Sequence, residues 1–145
     1  MPKRIRATPD GWKIEDPATD TEMTPDSWTG QGTLRLECDC EPEDRFLSAQ
    51  TIVIEFPAFN DGRALSLAVL LRDRLGYKGH LRATGATHED IAHYLIRCGF
   101  DEIDVPPARD ADLYLALLEP YTDHDQGSVR EPEPSFKRVL RGINA

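Results

Sequence analysis

The stretch Thr51–Phe56 constrains the fold of this chain more than any other: it is an apolar, β-branched run that Pro57 cuts short. A run of six residues interrupted only by Glu55 suits a buried strand, and proline cannot continue a ladder. The polar turn Asn60-Asp61-Gly62-Arg63 then delivers the chain into a helical pattern. Within it, Ala64, Leu67, Ala68, Leu71 and Leu75 recur on one face, the spacing of an amphipathic helix. Asp61 stands where an N-cap is needed, Arg72 and Arg74 occupy the last turn, and Gly76 ends the helix. A strand that feeds a helix through a short turn is the repeating unit of α/β proteins, whose ligands bind at the carboxyl ends of strands.

The flanking sequence repeats this unit. Thr33–Cys38 alternates apolar and polar residues, the period of a half-buried strand. Gly79–Gly85 reads as a second short strand, after which Thr87 caps a helix with Asp90 three residues on. That helix carries Ile91, Tyr94, Leu95 and Cys98 on one face and stops at Gly99. Phe100–Val105 is a further strand, ended by Pro106-Pro107. Asp110 caps a third helix bearing Leu113, Leu117 and Leu118, which ends at Pro120. The order is β-α-β-α-β-α with one strand before it. This is an α/β fold with a small parallel sheet of about four strands, resembling part of a (β/α) barrel.

Three segments follow from composition. Residues 1–32 are rich in Pro, Thr, Asp and Gly and read as an extended arm, with one short strand at Gly11–Ile14 and with Trp12 and Trp28 as anchors. Residues 33–121 hold the α/β domain. Residues 122–145 form a tail in which Phe136, Val139, Leu140 and Ile143 fall at helical spacing, to dock on the chain's own domain or on a partner. A sheet with three local helices leaves apolar surface to be hidden by the arm or by a second copy, so a homodimer is expected.

At 145 residues the chain suits one domain. Seventeen Lys and Arg against 26 Asp and Glu give a net charge of −9, which argues against nucleic acid as a partner and favours a basic protein surface. No apolar run approaches the roughly 18 residues of a membrane span, and no apolar segment follows the basic start, so neither membrane nor secretion signal is expected. Three cysteines read as reduced thiols of a cytoplasmic protein. Cys38-x-Cys40 lacks the second ligand pair of a zinc site, His88 and His93 are five apart and do not share a helix face, and Cys98 reads as core. No metal is expected. No Gly-x-Gly-x-x-Gly loop follows any strand, so no dinucleotide cofactor is expected either.

The alternating order should bring Asn60–Arg63, Gly85–Asp90 and Arg109-Asp110 to one rim. There Asn60, Gly62, Arg63 and Arg82 are candidate anion-binding residues, because a helix N-terminus and a guanidinium together hold sulfite, phosphate or carboxylate. Asp61, His88 and Asp90 are the candidate catalytic groups. The plainer alternative makes Asp61 an ordinary cap, His88 a surface residue, and Arg63 solvent-facing or paired with Asp90. Glu55 and Arg82 stand on strands expected to be adjacent and are read as a buried ion pair, with a catalytic carboxylate and a substrate-binding arginine as the sharper reading.

One set of motifs extends this. Phe59 with Asp61-Gly62-Arg63, then Leu71-Arg72 through Arg74-Leu75-Gly76-Tyr77, then Arg97-Cys98-Gly99-Phe100-Asp101 resembles the bacterial "domain of unknown function 934" family. The likeness covers about Gln50 to Val105. Ala64-Leu65 stand where that family usually has Gly-Tyr, and Ala86 and Ile91 where it has aspartate and glutamine. The resemblance implies a cytoplasmic bacterial protein linked with sulfite reductase and sulfate assimilation. It implies an accessory role through contacts with sulfite reductase or its electron donor, or else an oxidoreductase-like enzyme that binds a small anion.

Overall fold

The computed structural model describes residues 3–17 and 20–118. Among the described residues seven strands form one open sheet: β1 (Lys3–Thr8), β2 (Gly11–Glu15), β3 (Glu22–Met23), β4 (Thr33–Leu36), β5 (Thr51–Phe56), β6 (His80–Gly85) and β7 (Glu102–Val105). Their spatial order is β2-β1-β7-β6-β5-β4-β3. The neighbours from β3 to β7 pair in parallel, whereas β1 runs antiparallel to both β7 and β2. Helix α1 spans Gly62–Val69, α2 spans Ala92–Arg97, and α3 covers 111–118. The expected sheet of about four parallel strands is thus corrected to a mixed sheet of seven with two edges, and it is not a closed barrel. The strand expected at Gly11–Ile14 is β2; the rest of 3–15, expected as an extended arm, supplies β1, and the two make a hairpin that extends the sheet, anchored by the fully buried Ile5. Pro120, the tail 122–145 and its proposed helix lie outside the described residues.

The pleat sorts the strands into two faces. One row across five strands is apolar: Ile5, Ile103, Ala83, Ile54 and Leu36 are successive register partners, and all belong to the core together with the buried residues of the three helices. The next row on the opposite face is Arg6, Glu102, Arg82, Val53 and Arg35. Val53 is fully buried but stands apart from that core, flanked in register by two arginines, whose carbon stems can cover it.

Charge pairing covers this second face, with Arg82 Nη1 left buried and without a hydrogen bond. Arg82 Nε donates to Glu102 Oε1 at 2.7 Å, with both side chains only 6% exposed. Arg4 Nε donates to Asp104 Oδ1 at 2.6 Å. Arg35 bridges Glu22 at 2.9 Å and Glu55 at 2.7 Å. Asp20 reaches over the face, accepting from Thr33 Oγ1 at 2.9 Å and standing 3.6 Å from Arg82 Nη1. The expected Glu55–Arg82 pair is therefore corrected. Arg82 is opposite Val53 and beside Glu102, while Glu55 is opposite Thr84, so each charge takes a nearer partner.

At the amino edge of the parallel strands one arginine holds three segments. Helix α1 widens into a π-type turn at Leu70–Arg74, where Leu75 N–H reaches back five residues to Leu70 O at 3.1 Å. From this turn Arg72 Nε donates to Gly99 O at 2.9 Å, and its Nη1 donates to Tyr77 O at 3.0 Å and Gly79 O at 2.7 Å. Tyr77 Oη lies 2.9 Å from Ala49 O and 3.0 Å from His80 O. Asp101 Oδ1 accepts from Leu81 N–H at 2.7 Å. Gly99 has φ of 108°, and a Cβ there would sit 2.5 Å from Arg72 Cγ.

Two predictions follow from this packing. Gly99→Ala should lose about 1–3 kcal/mol through backbone strain, before counting displacement of Arg72. Gly62→Ala, which meets nothing within 4 Å, should stay within about 1 kcal/mol of wild type. Equal urea midpoints for the two variants would refute the role given to Arg72. Separately, Arg82→Met should lose about 3–5 kcal/mol by stranding Glu102, and Arg82→Met with Glu102→Leu should recover most of it. Full stability of the single variant would rule out a buried, mutually dependent pair.

Candidate functional site

Because β4, β5, β6 and β7 are parallel neighbours, the loops that leave their carboxyl ends share one edge. These loops are tied together. Ala86 N–H donates to Phe56 O at 2.8 Å. A Cβ on Gly85 would lie 2.6 Å from the same oxygen, so glycine permits the approach. The Phe59 ring packs on that of His88 with centroids 5.0 Å apart. Arg109 Nη1 donates to Glu89 Oε1 at 3.0 Å. Thr87 Oγ1 lies 2.7 Å from Asp104 O and 3.0 Å from Tyr114 Oη.

The rim centres on Asp61 and Arg63. Asp61 caps α1: its Oδ1 accepts the Arg63 backbone N–H at 2.9 Å. The same carboxylate takes Arg63 Nε at 3.1 Å and Nη2 at 2.8 Å, a two-point pairing of guanidinium and carboxylate. These Arg63 bonds hold the Asp61 carboxyl down at about 2 and push the guanidinium up in turn. At neutral pH Asp61 is therefore a carboxylate whose lone pairs are already engaged, which suits a cap better than a general acid. The Arg63 side chain is 62% exposed, and it faces two cavities.

The smaller cavity, of about 320 Å³, is lined by Glu37, Cys38, Asp39, Glu55, Pro57 and Arg63. The larger, of about 660 Å³, shares Cys38, Asp39 and Arg63 and adds Cys40, Glu41 and Leu70 among others. Cys38 Sγ lies 3.8 Å from Asp61 Oδ2. Burial pushes the Cys38 thiol up against the opposing pull of Arg63, and Asp61 and Asp39 add to the rise. Burial and Glu43 do the same to Cys40. Both remain thiols rather than thiolates, the less nucleophilic form.

The other candidates fall around this centre unevenly. Asn60 and Gly62 are exposed on the same turn. His88, not Thr87, caps the next helical segment: its Nδ1 accepts the Asp90 N–H at 3.0 Å. Thr87 is buried, and its hydroxyl is spent on Asp104 and Tyr114. The Asp90 carboxylate points outward, 73% exposed. Arg82 lies within β6 on the charged face, away from the rim, so its assignment to the anion site is corrected. Among the described residues no group of three or more His, Cys, Asp or Glu side chains is placed to hold a metal ion.

Three participants escaped sequence reasoning. Cys38, read in the sequence only as part of a Cys-x-Cys pair lacking a zinc site's second ligand pair, joins the rim because β4 ends at Leu36 beside β5. Glu89 is buried, with Oε2 lacking a hydrogen bond. Burial acts to raise its carboxyl, but its own backbone N–H and the nearby Arg109 and His88 more than reverse this. Tyr114 is fully buried against Thr87, a contact between elements far apart in sequence.

Asp61→Asn keeps a capping oxygen while releasing Arg63. The contribution of a carboxylate whose folded value is lowered is complete above its unfolded value of about 3.9 and is lost as pH falls through its folded value. The Tm difference between wild type and Asp61→Asn should thus be constant from pH 7 to about 5 and vanish toward pH 2. A difference that persists unchanged at pH 2 would contradict the ion pair.

Comparison with curated proteins and with solved structures finds no match in either. A family model does match residues 36–136, which include the Asp61–Arg63 turn, the Arg72 contacts and the loops that converge on the rim. The chain belongs to the family described as "Bacterial protein of unknown function (DUF934)".

Proposed function

We propose that this protein serves sulfite reduction as an accessory, docking on sulfite reductase or on that enzyme's electron donor in the bacterial cytoplasm. The observation that carries this reading is the acidic rim. Glu37, Asp39, Glu41, Glu43 and Asp44 are exposed in and after the loop that follows β4, beside an arginine already neutralised by Asp61. Such a rim repels small anions and attracts a basic protein surface, steering its approach. The net charge of −9 acts in the same direction. The link to sulfur assimilation itself comes from the family resemblance.

A second reading, a small-anion-binding enzyme of oxidoreductase type, is favoured by the two cavities that meet at the exposed Arg63. In that reading Asn60, Gly62 and Arg63 hold the anion, with Asp61, His88 and Asp90 nearby.

One experiment separates the two. Immobilised sulfite reductase and its electron donor are each challenged with wild type and with Glu37→Lys, Asp39→Lys and Glu41→Lys. Binding that weakens with salt and with each reversal is the expected result; no binding, or binding indifferent to all three, overturns the accessory role. Sulfite, sulfate and phosphate are tested in parallel by thermal shift, where an anion at a hundred times its Kd adds about 2.7 kcal/mol of stability. A shift abolished by Arg63→Ala would favour the enzyme.

A further inference from the structure

Among the described residues strand β2 is an edge strand, and the ladder fixes what it presents outward. Ala7 N–H donates to Asp101 O at 2.9 Å, so the odd-numbered residues of β1 bond toward β7 and the even-numbered ones toward β2. In the β1–β2 register the bonded pairs are then Arg6 with Lys13 and Arg4 with Glu15. Trp12 and Ile14 consequently aim their N–H and C=O groups away from the sheet, and their side chains are only half-buried.

A row of outward backbone groups is a template for another strand. The pleat allows a second β2 only in registers that oppose residues of the same face, and like charges set directly opposite are destabilising. A two-fold axis at Lys13 or at Glu15 would place that residue against its own copy. An axis at Trp12 would oppose Ile14 with the turn residue Asp10, shortening the ladder. An axis at Ile14 opposes Ile14 with its copy and Lys13 with Glu15 on both sides. Glu15 takes Arg6 within its own chain at 3.0 Å, whereas Lys13 has no ion-pair partner among the described residues.

We propose that a second copy of this chain pairs antiparallel along β2, with Ile14 on the axis and a Lys13–Glu15 contact on each side, joining two seven-stranded sheets into one. A five-residue edge is small beside the roughly 1,200–2,000 Å² of stable interfaces, so the association depends on concentration. Charge complementarity gives the test. Wild type, Lys13→Glu, Glu15→Lys and an equimolar mixture of the two variants are compared by sedimentation equilibrium. Wild type should self-associate and each variant alone should not. The mixture should associate again, because every contact between positions 13 and 15 then joins opposite charges. Recovery in the mixture also shows that both variants are folded. Wild type that stays monomeric up to about 1 mM, variants that dimerise as wild type does, or a mixture that stays monomeric would each overturn the proposal.

Discussion

Every strand places consecutive side chains on opposite faces of the sheet, and in this chain that two-residue period separates carbon from charge. Ile5, Ile103, Ala83, Ile54 and Leu36 make one continuous apolar row, and the three helices bury their own apolar sides against that face. The opposite face carries Arg4, Arg35 and Arg82 with Asp104, Glu55 and Glu102. A guanidinium removed from water is costly unless a carboxylate meets it, and the register supplies one to each. The helices therefore stack on one side only.

The parallel strands then divide the labour between their ends. At the amino edge, Arg72 takes the carbonyls of Gly99, Tyr77 and Gly79. The motif Leu-Arg-x-Arg-x-Gly-Tyr and the later Arg-x-Gly-Phe-Asp meet there as two halves of one support. At the carboxyl edge, Asp61 and Arg63 close on each other beside Cys38 and two cavities. One end of the parallel strands holds the scaffold together, and the other carries the exposed Arg63 beside its cavities.

Much of this was written in local residue order. The alternation in Thr33–Leu36, the run Thr51–Phe56, the cap at Asp61 and the stop at Gly76 could all be read directly, because each depends on neighbours within a few residues. The hairpin at residues 3–15 was harder to see. Charges flank Ile5 so closely that composition outweighs pattern there. Tyr94 and Leu113 matched a helical stripe yet lie 52% and 43% exposed, because spacing identifies a face without telling how far the sheet extends beneath it.

The sequence by itself determined the strands that became β4 to β7, where Asp61 begins α1, and that the loops bearing Arg63 and His88 follow strands of one parallel run. Only the tertiary structure decided who meets whom: Glu55 with Arg35, Arg82 with Glu102, Thr87 with Tyr114, and Cys38 with Asp61. The reason is range. A cap or a pleat is settled by atoms a few bonds apart, whereas an ion pair across a sheet depends on strand order and register, which the whole core chooses together.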